Sequence, residues 1–167
     1  MTHNRVDTIL RGYRFDLGRC GHLAMEIKEL EQKYNTEKTD MIHALVSPHP
    51  QQITDMPHGT AISNPTEKFG LMLAGDYKSE EMQELDIKIM SKTDEYNERK
   101  TRVMYVQGWL TGLTERERWM VETQVIDGVF WKDVGVQYAS KFGEAVSKDT
   151  LKRLRDRAMD KVYAMAQ

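Results

Sequence analysis

Apolar residues recur at alternating steps of three and four along the first part of the chain: Val6, Leu10, Tyr13, Leu17, Cys20, Ala24, Ile27 and Tyr34, with Leu30 close to the stripe. A period near 3.5 residues is a helical seam, and it predicts one amphipathic helix over residues 1–35. Gly12, Gly18 and Gly21 each weaken that helix by about 1 kcal/mol relative to Ala, which leaves room for a kink or break near Gly18–Gly21. A second seam runs through Met82, Leu85, Ile89, Tyr96, Val103, Val106 and Leu110, with Lys92 and Arg99 standing where apolar groups belong. Polar residues inside a seam either fix register and partner number or snorkel at the edge of a packed helix, and both readings stay open. Two such helices make a helical hairpin, or a stalk through which copies of the chain form a homo-oligomer.

All four prolines, Pro48, Pro50, Pro57 and Pro65, lie between the seams. Residues 36–63 show no clean period and read as a Pro-rich linker, with a helical turn near Met41–Val46. His43, His49 and His58 fall there at irregular spacing without a carboxylate or thiolate pattern, so they are read as solvated histidines and no metal site is expected. A second helical segment, 64–112, opens on Asn64-Pro65-Thr66-Glu67: Asn64 can cap, Pro65 suits the first helical position and Glu67 can reach back. A short helix to Gly75 precedes the second seam, which should end near Gly108–Gly112.

Residues 113–167 form a third pattern. Thr114 and Glu117 make a capping box, and the helix that they open should run to about Asp127, stopped by Gly128. Trp131, Val134, Tyr138 and Ala139 share one face of the next helix. Ser147 caps a last helix whose apolar face is Leu151, Leu154, Ala158, Val162 and Met165. Three helices with a basic third one follow the helix-turn-helix plan, in which two helices hold a third against the major groove of double-stranded DNA. The net charge of -2 hides this: residues 1–113 hold 14 Lys+Arg against 17 Asp+Glu, whereas the last helix holds six cations against three aspartates. The bland alternative is a solvated face neutralised by pairs such as Asp149–Arg153 and Asp156–Arg157–Asp160.

Residues 113–162 resemble region 4 of bacterial sigma factors of the sigma-70 type. The carrying residues are Leu113-Thr114-Glu115-Arg116-Glu117, Trp131-Lys132-Asp133-Val134-Gly135-Val136-Gln137-Tyr138, Val146-Ser147-Lys148-Asp149-Thr150-Leu151-Lys152-Arg153-Leu154 and Arg157-Ala158-Met159-Asp160-Lys161-Val162. Gly135 matches a small residue where two helices of that family pack closely. The whole layout, with Ser63-Asn64-Pro65-Thr66-Glu67-Lys68 before the second helix, resembles phage and prophage late-gene transcription regulators of the ArpU and RinA type. The resemblance covers about a third of the chain well and the rest loosely. It implies base reading by Lys148, Asp149, Lys152 and Arg153, and DNA-backbone contacts from Ser147, Thr150, Arg155 and Arg157. One departure stands out: Ala139–Ala145 makes the segment before Val146 longer than the tight turn of the family, so either the middle helix extends to Phe142 or a loop intervenes.

The resulting expectation is an all-α protein that binds specific DNA and controls a late promoter in the cytoplasm of a bacterial host. One alternative is a phage small terminase subunit recognising packaging DNA. Another is a sigma-like module that docks on RNA polymerase, which exposed aromatics such as Trp119 would favour. An enzyme is not expected: the sequence has no Gly-rich phosphate loop, HExxH or nucleophile elbow, and no catalytic residue or cofactor is assigned. Cys20 sits in the apolar stripe as a packing residue, and His22 has no evident acid partner. A single cysteine excludes an intrachain disulfide framework, and with no apolar run of about 20 residues no membrane span is expected. The first residues lack an apolar core behind a basic head, so no signal peptide is expected.

Overall fold

A computed structural model describes residues 1–46, 70 and 78–167. Among these residues the protein is all-α, as the two seams require: α1 spans His3–Val46, α2 Glu80–Thr111, α3 Glu115–Met120, α4 Trp131–Phe142 and α5 Lys148–Met165. A π-helical segment, Val121–Ile126, continues α3. Among the described residues there is no strand, and no helix is long and apolar enough to cross a membrane. Asn64–Pro65, all four prolines, His49 and His58 lie outside the described residues, and so does most of the expected linker.

The linker begins later than residue 36, because α1 continues to Val46. Residues 36–46 hold neither Gly nor Pro. Thr36 and Thr39 turn their hydroxyls back onto Gln32 O (3.0 Å) and Asn35 O (2.8 Å), which satisfies them inside the helix. His43 is exposed in the last turn of α1.

The chain divides into two compact units, residues 1–22 with 95–167 and residues 23–94, and both long helices contribute to each. A boundary at residue 113 therefore marks a change of helix but not the edge of a unit. In the second unit Leu23 and Met82 are buried, and Lys92 reaches Glu26 on α1 at 2.8 Å. Ser79 starts α2 by accepting the Met82 N–H at 3.1 Å, and Glu80 and Glu81 in the first turn complement the helix dipole.

In the first unit α1 and α2 meet across a seam that is apolar at one end and ionic at the other. Val6, Ile9 and Leu10 pack with Val106, Trp109 and Leu110. Further along, the inward position of α1 is Asp16, only 6% exposed, and not Leu17, which is 42% exposed. The Asp16 carboxylate accepts from Arg99 Nη1 at 2.7 Å and from Arg102 Nε at 2.9 Å. Glu95 accepts from Arg19 at 3.2 Å and from Arg99 at 2.9 Å. Arg99 is thus neither an intruder in an apolar seam nor a snorkelling edge residue; it is half of an interhelical ion pair. Burial pushes the Asp16 carboxyl up, but hydrogen bonds from Arg102 and Arg99 outweigh this and hold it below its ordinary value.

These contacts also explain why α1 does not break at Gly18–Gly21. Both glycines are exposed, a Cβ on either would meet nothing within 4 Å, and neither has a positive φ. Asp16 and Arg19 anchor the opposite face, so tertiary contact overrides weak local propensity. Gly18→Ala and Gly21→Ala should therefore each raise the unfolding free energy by about 0.5–1 kcal/mol, read by urea titration.

Asp16→Ala should have the opposite effect. Breaking a buried pair costs about 3–5 kcal/mol; the lower end applies because Arg99 and Arg102 remain 20% and 30% exposed. With the folded pKa depressed, the contribution of Asp16 is complete above the unfolded value of about 3.9 and is lost as pH falls through the lower, folded value. Thermal melts from pH 6 to pH 2 should accordingly fall less steeply for Asp16→Ala than for the wild type.

Candidate nucleic-acid interface

The last turn of α2 closes tightly, with Gly112 N–H on Trp109 O at 3.2 Å and the Arg118 side chain on Leu110 O at 3.0 Å. A Cβ at Gly112 would lie 2.5 Å from Met165 Sδ, so the end of α5 passes directly over this junction. Thr114 then opens α3 with the expected capping box, in which Glu117 Oε2 accepts the Thr114 N–H at 3.1 Å and its hydroxyl at 2.9 Å. Glu117 has a second partner that the local pattern does not reveal, the ammonium of Lys161 on α5, 2.8 Å from Oε1. Burial raises the Glu117 carboxyl, but the bonds from Lys161 and Thr114 outweigh it and leave the group below its ordinary value.

The stretch expected to remain an ordinary helix to Asp127 widens after Met120 into the π-helical segment. Its bonding is visible in Asp127 N–H on Glu122 O at 2.9 Å. The five-residue step turns both Val121 and Ile126 into the core with Ala158, Met159 and Val162. Gly128, at φ 67°, ends the segment in the left-handed region that suits glycine.

On α4, Val134 and Tyr138 are buried with Met120 and Leu151. Trp119 is half-buried, packed against Tyr138 and Phe142 with ring centroids 5.5 and 5.8 Å away. A Cβ on Gly135 would meet Leu151 Cδ1 at 4.0 Å, an ordinary contact; α4 and α5 approach closely there with room left for one methyl. The extra residues before Val146 lengthen the helix: Ala139–Phe142 belong to α4, and Gly143, at φ 71°, caps it with its N–H on Ala139 O at 2.9 Å. The turn to α5 is thus short. It is tied to α3 by Arg116, whose guanidinium meets Glu144 at 3.0 Å.

The Ser147 hydroxyl caps α5, accepting the Thr150 N–H at 3.3 Å and lying 2.9 Å from the Thr150 hydroxyl. Both residues, assigned to DNA backbone by resemblance, are exposed while they hold this cap. Leu151 and Ala158 are buried and Leu154 is half-buried, as the apolar face requires; Met165 is the exception, 42% exposed. Lys148, Asp149, Lys152, Arg153 and Arg157 are exposed, and none of them pairs with another described residue. The self-neutralising pairs Asp149–Arg153 and Asp156–Arg157 do not form.

Arg155 is different from its neighbours. It bonds Asp156 at 2.8 Å and its guanidinium lies 5.2 Å over the Trp131 ring, half-buried. Lys161 is committed to Glu117. Of six cations on α5, four therefore remain uncompensated, Lys148, Lys152, Arg153 and Arg157, against the unpaired carboxylates Asp149 and Asp160. The balance of +2 lies mostly on the N-terminal half of the helix.

Among the described residues no group of His, Cys, Asp and Glu is placed to hold a metal ion, and Cys20 is a half-buried free thiol. Comparison with protein-family models, curated proteins and solved structures gives no match for this chain.

Proposed function

We propose that this protein is a non-catalytic, sequence-specific DNA-binding transcription regulator, encoded by a phage or prophage and acting on a late promoter, with α5 as its reading helix. The observation that carries this reading is the set of exposed, unpaired cations on the N-terminal half of α5, presented beyond a capped turn on a well-packed three-helix core. Long cationic side chains left without partners suit phosphate oxygens and guanine edges, and the helix N-terminus adds attraction for phosphate. Lys148, Asp149, Lys152 and Arg153 are assigned to base edges; Ser147, Thr150 and Arg157 to backbone. Arg155 joins the backbone set only by leaving Asp156. A polymerase-docking role is less supported, since Trp119, the aromatic that would serve it, is half-buried and already engaged with Tyr138 and Phe142.

Four free cations on α5 allow about four phosphate contacts from that helix, so binding through α5 alone should make log K for one copy fall with log salt with a slope no steeper than about -4. Self-association through the N-terminal helices would bring further contacts, and it is part of this proposal. The test is selection of bound duplexes from a random pool by the purified protein, which should yield a consensus. Replacing Lys152 and Arg153 together by Ala should then weaken binding to that consensus at least about 30-fold in a mobility shift, since each lost base contact is worth about 1–3 kcal/mol. Both side chains are exposed and unpaired, so the helical circular dichroism should not change. Selection without a consensus would overturn the proposed function. Unaltered retardation by the double variant would overturn the site assignment.

A further inference from the structure

Three kinds of contact in the first unit hold α5, or the turn that leads into it, on the rest of the unit. The apolar contacts of α5, through Leu151, Ala158 and Val162, hold it in the core but are non-directional. The Arg116–Glu144 pair is half-exposed at both ends, in the class of surface pairs that contribute little. Glu117 is the exception. Its side chain is only 5% exposed, and it receives the Thr114 N–H, the Thr114 hydroxyl and both close approaches of Lys161, at 2.8 and 2.9 Å. A carboxylate with donors from two helices fixes both distance and direction.

We infer that Glu117 is a positioning residue: by gripping Lys161 from the cap of α3 it sets the axial position and rotation of α5, and thereby selectivity among DNA sequences. The inference rests on the reading of α5 as the DNA-reading helix. Lys161 lies eight residues beyond Arg153, about 12 Å along the helix at 1.5 Å per residue. Release of the grip leaves α5 held by its apolar contacts and, near its C-terminal end, by the Tyr163–Asp7 hydrogen bond, so that its N-terminal half is free to pivot. Base-edge recognition needs side chains held to within about 0.5 Å, whereas attraction to phosphates tolerates such displacement. Selective binding is thus the property that depends on Glu117, and general DNA affinity is not.

The discriminating variants are Glu117→Gln, which keeps an acceptor for the Thr114 N–H but removes the charge that holds Lys161, and Lys161→Met, which leaves the capping box untouched. Each is compared with the wild-type full chain for binding to the duplex that the wild type selects from a random pool and to a scrambled duplex of equal composition. The expected result is a loss of about tenfold or more in the ratio of the two affinities, with scrambled-duplex binding within about twofold of wild type, and with the double variant no worse than either single one. An unchanged ratio in Lys161→Met, whose capping box stays intact, overturns the inference. So does an equal loss on both duplexes, which marks a merely structural role. If the wild type itself selects no duplex, it is the DNA-reading function that fails, before either variant is compared.

Discussion

The helix α5 carries more apolar surface than α3 and α4 can cover, and the first compact unit is arranged around that fact. Leu151 is enclosed by Met120, Val134 and Tyr138, while Ala158, Met159 and Val162 pack against Val6, Ile9, Leu10, Val106 and Trp109 from the two long helices. Burial of each large aliphatic group is worth about 1.5–3 kcal/mol, so the first turns of α1 are a structural part of the unit that carries the candidate interface. Further contacts tie the two ends of the chain together: the Tyr163 hydroxyl donates to Asp7 at 2.8 Å and its ring stacks on His3. Burial and the neighbouring Asp7 push the Tyr163 phenol up to about 12, so it remains a donor throughout the neutral range.

The ionic part of the α1–α2 seam has a different role. Aliphatic side chains at a spacing near 3.5 would allow α1 to slide past α2 by one heptad at modest cost. Asp16, held between Arg99 and Arg102, does not allow this: a slipped register leaves a buried carboxylate without partners and returns Arg99 and Arg102 to Glu95 and Glu98 of their own helix. In the second unit Lys92 and Glu26 form a pair of the same kind, but a more exposed and therefore weaker one. The seam thus trades some apolar burial for a single alignment.

What was legible in the sequence follows the range of the interactions. Features set by a few neighbouring residues can be read directly: the Thr114–Glu117 capping box, the Ser147 cap and the stop at Gly128 each depend on a side chain within about three residues. The 3.5-residue period likewise identifies both long helices, because burial of one face repeats along the chain. What escapes is set by partners far away. Nothing near Asp16 says that Arg99 and Arg102 will meet it 83 and 86 residues later, so the inward position looks like Leu17. The π-helical step at Val121–Ile126 answers to packing against α1 and α5 and has no local signature. Residues 36–46 look irregular because residues 36–44 include no fully buried position, although no Gly or Pro stops the helix. At the candidate site the same division holds: the cationic residues of α5 are evident in the sequence, but that Arg155 and Lys161 are already committed is not.

That last difference changes the electrostatic argument. Counted from composition, α5 is +3; counted by free groups it is +2, and two of its exposed carboxylates are unopposed. Long-range attraction to a polyanion follows the unpaired charge, and an ion pair within the helix presents the solvent with little more than a dipole. A single copy of such a helix in the proposed role is a weak electrostatic anchor, and its discrimination rests on short-range contacts at base edges. Weak attraction makes geometry decisive, because displaced side chains cannot be compensated by general affinity. It also favours more than one copy per site, since tethering converts the second docking event into an intramolecular one with a high effective concentration. The long helices that cover the inner face of α5 are also the proposed means of bringing two such helices to one duplex.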